Sequence, residues 1–195
     1  MLLYDDTAAA VLQAAAAHAR RSGAERYSTV HVLLGLLDSA DPVTRAATGA
    51  SPELTVEAVA AALDDGTALD DGTALDDGDA DGGAVRAPAH VPVAATEFRR
   101  AMSGSTARWR TLVTSGLLRP AGKLGTGELW LAVLQPDTAS ADLLTALGAE
   151  PEGIRSSVLA AIVPAGRPVP EWPAEAPTGA VRRLVGRVLG TGTRP

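Results

Sequence analysis

The sequence predicts an all-α protein built from two similar four-helix units. Three observations carry this. Apolar residues make up 46% of the 195-residue chain but aromatic residues only 3%, so Ala, Leu and Val must fill the interior. An interior of this kind suits closely packed helices better than a sheet rich in aromatic and β-branched residues. Two strongly apolar stretches, residues 27–37 (YSTVHVLLGLL) and 124–134 (LGTGELWLAVL), share one pattern. Each is followed by a Gly-Ala step and a fresh helix start, at Gly49 and at Gly148. The same order of parts used twice reads as a duplicated unit.

The elements follow in order. Residues 5–22 read as a helix, because Ala8, Val11, Leu12, Ala15, Ala16 and Ala19 recur at helical spacing and Gly23 follows the last turn. Ser28 is placed to cap a second helix, apolar nearly all round from Val30 to Leu37, as in the middle of a bundle. Asp41 and Pro42 supply a cap and a first-turn proline for a third helix reaching about Thr48. Ser51-Pro52-Glu53 is expected to do the same for a fourth, ending near Leu63.

Residues 64–81 are three hexads rich in Asp and Gly, which oppose both helix and strand; a flexible acidic linker over 64–92 is expected. A second unit over 93–163 opens with a helix carrying Phe98, Met102, Trp109, Leu112 and Val113. After the loop 115–123 comes a buried helix from Thr126 to Leu134. A third helix, with Asp137 as its expected cap, ends at Gly148. A fourth is opened by Glu150-Pro151 and runs to about Val163. Residues 164–195 form a Pro-rich tail. Within it Val181, Leu184, Val185, Val188 and Leu189 make one apolar stripe opposite Arg182, Arg183 and Arg187.

The formal charge of −6 is concentrated in one place: residues 64–83 hold eight Asp and no Lys or Arg. With those set aside, 17 basic residues face 15 acidic ones, which is no nucleic-acid footprint. There is no cysteine, hence no disulfide and no thiolate chemistry. No apolar run approaches the roughly 20 residues of a membrane span. The start MLLYDDTAAAV lacks the basic region of a secretory signal, so a cytoplasmic setting is expected. The bias toward Ala, Gly, Asp and Arg points to a high-GC bacterial genome.

Residues suited to catalysis are sparse. His18, His31 and His90 are the only histidines, and no two are spaced to share a metal; His31 reads as a helix-start residue with a local hydrogen bond. Asp77, Asp79, Asp81 and Gly82 imitate the first half of a calcium loop, but Pro88 stands where a bidentate Glu is required. Residues 116–124 (GLLRPAGKL) are the nearest string to a nucleotide-binding loop. They place five residues between the glycines, and Leu124 follows Lys123 where the magnesium-binding hydroxyl belongs. No nucleophile elbow is present. No catalytic group, metal or cofactor is assigned.

The order of these parts resembles the Clp N-terminal repeat domain, the double four-helix module at the front of the Clp AAA+ unfoldases. That family's second helix opens Gly-Thr-Glu-His-Leu-Leu-Leu. The counterparts are Ser28-Thr29-Val30-His31-Val32-Leu33-Leu34 in the first unit and Gly125-Thr126-Gly127-Glu128-Leu129-Trp130-Leu131 in the second. His90-Val91-Pro92-Val93 is similar to the family's His-Ile-Pro-Phe. The resemblance spans about residues 1–163; no ATPase module accompanies it.

The resemblance implies a non-enzymatic module that binds proteins or peptides in the Clp proteolysis system, as an adaptor or a decoy. The partner would be a Clp unfoldase or its substrates. Sequestration of Clp-targeting cyclic-peptide antibiotics is the alternative, and an uncharacterised helical enzyme a second one. It places a binding groove between the repeats at Leu12, Gln13, His90, Val93, Phe98 and Met102, unless those residues simply pack the units together. It also implies a departure. Relatives that recognise phosphoarginine use the Glu of Thr-Glu-His, and Val30 and Gly127 stand at those positions. The linker, and the loop before Thr126, are longer than in the family.

Overall fold

The protein, described here from a computed structural model, is all-α; residues 3–64, 93–118 and 122–173 are described. The acidic hexads, the calcium-loop imitation, His90 and the 181–189 stripe lie outside those residues. Eight helices occur among the described residues: α1 (Asp6–Arg21), α2 (Thr29–Leu37), α3 (Pro42–Ala50), α4 (Val56–Asp64), α5 (Thr96–Thr114), α6 (Thr126–Val133), α7 (Ala139–Ala146) and α8 (Pro151–Ile162).

Capping chemistry sets most of the boundaries. Asp5 Oδ1 accepts the Ala8 N–H at 2.7 Å and starts α1, while Gly23, at φ 77°, turns the chain out of it. Asp41 Oδ1 accepts the Val43 N–H at 2.8 Å, with Pro42 in the first turn of α3. Two expected caps are corrected. Ser51-Pro52-Glu53 forms a turn in which the Leu54 N–H returns to the Ser51 carbonyl; α4 starts only at Val56, where Thr55 Oγ1 accepts the Ala58 N–H. Asp137 adopts φ 62° outside the helix, and Thr138 caps α7 by accepting the Ala141 N–H. In both places a Thr nearer the apolar run takes the cap, because its hydroxyl reaches the N3 amide from there.

One continuous core joins all eight helices. The apolar second helices form its centre: in α2, residues Thr29 to Leu36 are all buried, and in α6 every residue is. Full burial of each Leu or Val contributes about 1.5–3 kcal/mol, so these two short helices dominate the hydrophobic stabilisation. α1 packs on α2, α5 on α6, and α2 on α6; α3 lies against α8 from the other half of the chain. The alanine face of α1 permits close approach. A Cβ on Gly35 of α2 would stand 2.5 Å from the Val11 carbonyl oxygen.

The helix-only expectation misses two short extended pairings. β1 (Arg26–Tyr27) runs parallel to β2 (Val93–Ala94), with Arg26 opposite Val93 and Tyr27 opposite Ala94. Tyr4 forms an isolated parallel bridge with Leu124. The pairings are reciprocal: the lead into α1 pairs with the lead into α6, and the lead into α5 pairs with the lead into α2. Two residues are too short for any alternation signal, so no sequence pattern marks them.

Candidate functional site

Among the expected groove residues, Val93 lies in β2, and Phe98 lies on α5, which β2 leads into. Tyr27 stacks at a tilt on Phe98, ring centres 5.7 Å apart. Both Tyr4 and Tyr27 are half-buried, and burial raises both phenol pKa values; Tyr4 is raised further by Tyr27, which places the two phenols in one field. Leu3 and Val93, on the segments leading into α1 and α5, are 59% and 53% exposed. They are two of the three large apolar side chains so exposed among the described residues, the third being Val169.

The expected groove residues separate by role. Phe98 and Met102 are buried within the core, on the inner face of α5. Leu12 is half-buried against that core and Gln13 is exposed. β1 bridges the two sides, since it packs on α1 and pairs with β2.

A polar joint was not foreseen. Glu97, at the start of α5, accepts from Thr29 Oγ1 at 2.8 Å and from the Ala139 N–H at 2.7 Å. Thr29 Oγ1 in turn accepts the Ser140 N–H at 3.2 Å. One carboxylate and one hydroxyl thus fill the orphan donors at the start of α7, using residues from two other helices. The counterpart at α6 differs. Thr126 Oγ1 donates to Asp41 Oδ1 at 3.1 Å, and Trp130 Nε1 donates to Thr44 Oγ1 at 3.1 Å. Burial opposes the charge on Asp41, yet hydrogen bonds from Thr44, Ser39 and the Val43 and Thr44 amides together hold its pKa below the ordinary value.

Positions 30 and 127 are both occupied by packing. Val30 is fully buried. A Cβ on Gly127 would stand 2.9 Å from Ile162 Cγ2, so α8 fills the space that a longer side chain would use. Glu128, one position on, is buried and turned back along its own helix, where its Oε2 accepts the Gly125 N–H at 3.0 Å. Burial raises its pKa, opposed by the Gly125 amide and aided by the Asp5 charge.

His31 acts within the fold. Its Nδ1 accepts the Ser28 N–H at 3.1 Å, which leaves the neutral ring's proton on Nε2, 3.1 Å from Ser22 Oγ; that hydroxyl donates to the Ala19 carbonyl. Burial, and secondarily the nearby His18, lower its pKa from 6.5 to about 4. A depressed histidine pKa favours the fold above pH 6.5, and this contribution is lost as pH falls toward 4, because the unfolded chain takes up the proton first. The difference corresponds to about 3 kcal/mol. The His31 ring should therefore keep its neutral NMR shifts down to pH 5, while stability in urea falls steadily between pH 6.5 and 4. A His31 ring titrating near 6.5 in the folded protein would refute this. His18 Nε2 lies 2.7 Å from Asp38 Oδ2 and its Nδ1 3.0 Å from an Arg21 nitrogen, so it ties the ends of α1 and α2 together.

Among the described residues, no three His, Asp or Glu side chains converge as metal ligands, and no helix is long and apolar enough to cross a membrane. No protein-family model matches the chain, and no curated protein matches it. Its structure is similar to that of the N-terminal domain of the caseinolytic protease associated chaperone ClpD from Arabidopsis thaliana. The TM-score is 0.56 at 18% identity, over 80% of this chain and 92% of that one. A likeness at this identity speaks to architecture: the chain has a Clp N-domain-like all-α fold.

Proposed function

We propose that the protein is a non-enzymatic Clp N-domain-like binding module, which takes an apolar segment of a protein or peptide on the surface around β1 and β2. It would serve as an adaptor or decoy toward a Clp unfoldase or its substrates. The observation that carries this reading is the placement of Leu3 and Val93, two large exposed apolar side chains on the paired segments leading into α1 and α5. We read the chain as two duplicated units, residues 1–63 and 93–163, with 64–92 as connection and 164–195 as tail. The reciprocal pairing of lead-in segments supports that reading.

Phosphoarginine is not the expected ligand. A guanidinium needs carboxylate acceptors. Val30 and Gly127 carry none, and Ile162 fills the space beside Gly127. Calorimetry separates the cases. An apolar cyclic peptide should bind the intact protein, and Val93→Asp should weaken it about tenfold, the loss expected on removing a central anchor. Free phosphoarginine should give no heat. Micromolar phosphoarginine binding, or cyclic-peptide affinity indifferent to Val93→Asp and Leu3→Asp, would overturn the assignment of this surface.

A further inference from the structure

The segments that lead into α1 and α6 are held together by two backbone bonds. The Leu124 N–H donates to the Leu3 carbonyl at 2.8 Å, and the Asp5 N–H donates to the Leu124 carbonyl at 2.9 Å. With the packing of half-buried Tyr4, they tie down residues 3–5.

Two carboxylates meet beside this pairing. A Cβ on Gly125 would stand 3.0 Å from Asp5 Oδ2 and 3.5 Å from Glu128 Oε2, so both acids crowd one glycine. Asp5 is half-buried and its Oδ1 caps α1. Glu128 is only 4% exposed. Its Oε2 accepts the Gly125 N–H, but its Oε1 is shielded from water and has no hydrogen-bond partner among the described residues.

No basic group answers that oxygen. α1, α2, α3, α5 and α8 all pack on α6, and of the charges they carry it is Asp5 that acts on Glu128. His31 on α2 is neutral, and Asp41 before α3 is bonded to Thr126. On α5, Glu97 is tied to Thr29 and Ala139, and Arg108 lies in the field of Arg155. Arg155 on α8 reaches the Leu134 carbonyl at the other end of α6. Lys123 is exposed and bonds to neither acid. The start of a helix and the Gly125 amide favour a carboxylate at position 128. Burial, aided by the Asp5 charge, favours the neutral acid and is the larger effect, so Glu128 keeps its proton above its ordinary value of 4.5.

We propose that Asp5 and Glu128 form a proton-operated joint: a neutral Glu128 lets the lead into α1 lie against the lead into α6, and an ionised Glu128 drives them apart. Opening relieves the repulsion at the expense of two pairing bonds and leaves α1 and α6 in the core. The sign follows from linkage. The contribution of the closed joint is full below pH 4.5 and is lost as pH rises through the raised value. Leu3 rides on the released segment. Under the binding reading above, on which this consequence alone rests, raising the pH therefore withdraws Leu3 from its place.

NMR on the intact protein, with no ligand present, tests the joint. The Glu128 carboxyl carbon should titrate above 4.5. Asp5→Asn, which keeps an oxygen for the Ala8 N–H, should lower that midpoint. Exchange protection of the Leu124 amide, corrected for the intrinsic pH dependence of exchange, should fall about tenfold or more across the titration, the factor that one unit of pKa difference between closed and open joint gives. In Glu128→Gln, which keeps the Gly125 bond without the charge, protection should not vary with pH. The Leu134 amide, bonded to the Trp130 carbonyl, should stay protected throughout and so reports an intact α6. A Glu128 midpoint at 4.5 or below, or the same pH dependence at Leu124 in the parent and in Glu128→Gln, would overturn the proposal. A parallel loss of protection at Leu134 would overturn it too, in favour of a general loosening of α6. Calorimetry is the separate arm: if the joint titrates as stated while cyclic-peptide affinity ignores Leu3→Asp at every pH, the joint stands and the binding reading loses Leu3.

Discussion

Replacing Gly35 by valine is expected to lower stability by about 3 kcal/mol or more, the upper end of what overpacking a core costs. The added Cβ would lie 2.5 Å from the Val11 carbonyl oxygen and 3.0 Å from the Ala15 nitrogen. Both are backbone atoms of α1, so no rotamer change relieves the clash, and the helices must separate. Gly35→Ala should also destabilise, by about 1–2 kcal/mol, although alanine is intrinsically better than glycine in a helix by about 1 kcal/mol. Gly104, inside α5, provides the opposite sign. A Cβ there meets nothing within 4 Å, so Gly104→Ala should stabilise by up to about 1 kcal/mol. Urea denaturation of the three variants measures the contrast. A Gly35→Ala protein as stable as the parent would show that this contact does not set the spacing of α1 and α2.

Trp130→Ala should cost about 3–5 kcal/mol, the range for deleting a large aromatic from a core. Trp130 is fully buried on α6, and its indole reaches across to Thr44 on α3. Trp130→Phe retains most of the volume and should cost roughly 1 kcal/mol beyond its packing change, the net worth of one hydrogen bond. Thr44 keeps other partners in that variant: its hydroxyl lies 2.8 Å from Asp41 Oδ2 and 3.2 Å from the Leu36 carbonyl. The matched experiment is thermal unfolding of both variants and of Thr44→Val. If Trp130→Ala costs under about 1 kcal/mol, the core must close around the lost ring, contrary to the close packing of α6 between its neighbours.

The fold was largely legible because its signals are local. The alanine and leucine periodicity of α1, the all-round apolarity of α2 and α6, and the Asp41-Pro42 and Glu150-Pro151 starts each lie within a few residues of what they determine. The errors were local as well. Thr55 and Thr138 took the caps expected at Ser51 and Asp137, since several hydroxyls and carboxylates compete within four residues and only backbone geometry chooses among them. For the candidate site, spacing grouped residues that the fold separates by burial. Phe98 is as apolar as Val93, yet the pitch of α5 turns Phe98 inward, while β2 leaves Val93 in solvent.

The sequence alone determined the all-α class, the centrality of α2 and α6, and the lack of cysteine. Periodicity, composition and motif spacing suffice for these. The tertiary structure alone decided the contacts between distant residues. Glu97 meets Thr29 and Ala139, Asp41 meets Thr126, Tyr4 pairs with Leu124, and α3 packs chiefly on α8 from the other half of the chain. The same holds for the meaning of two glycines: Gly35 is small because α1 presses on it, and Gly127 because Ile162 does. A glycine codon records that space is short but not what occupies it, and the occupant is fixed only when remote helices are brought into contact.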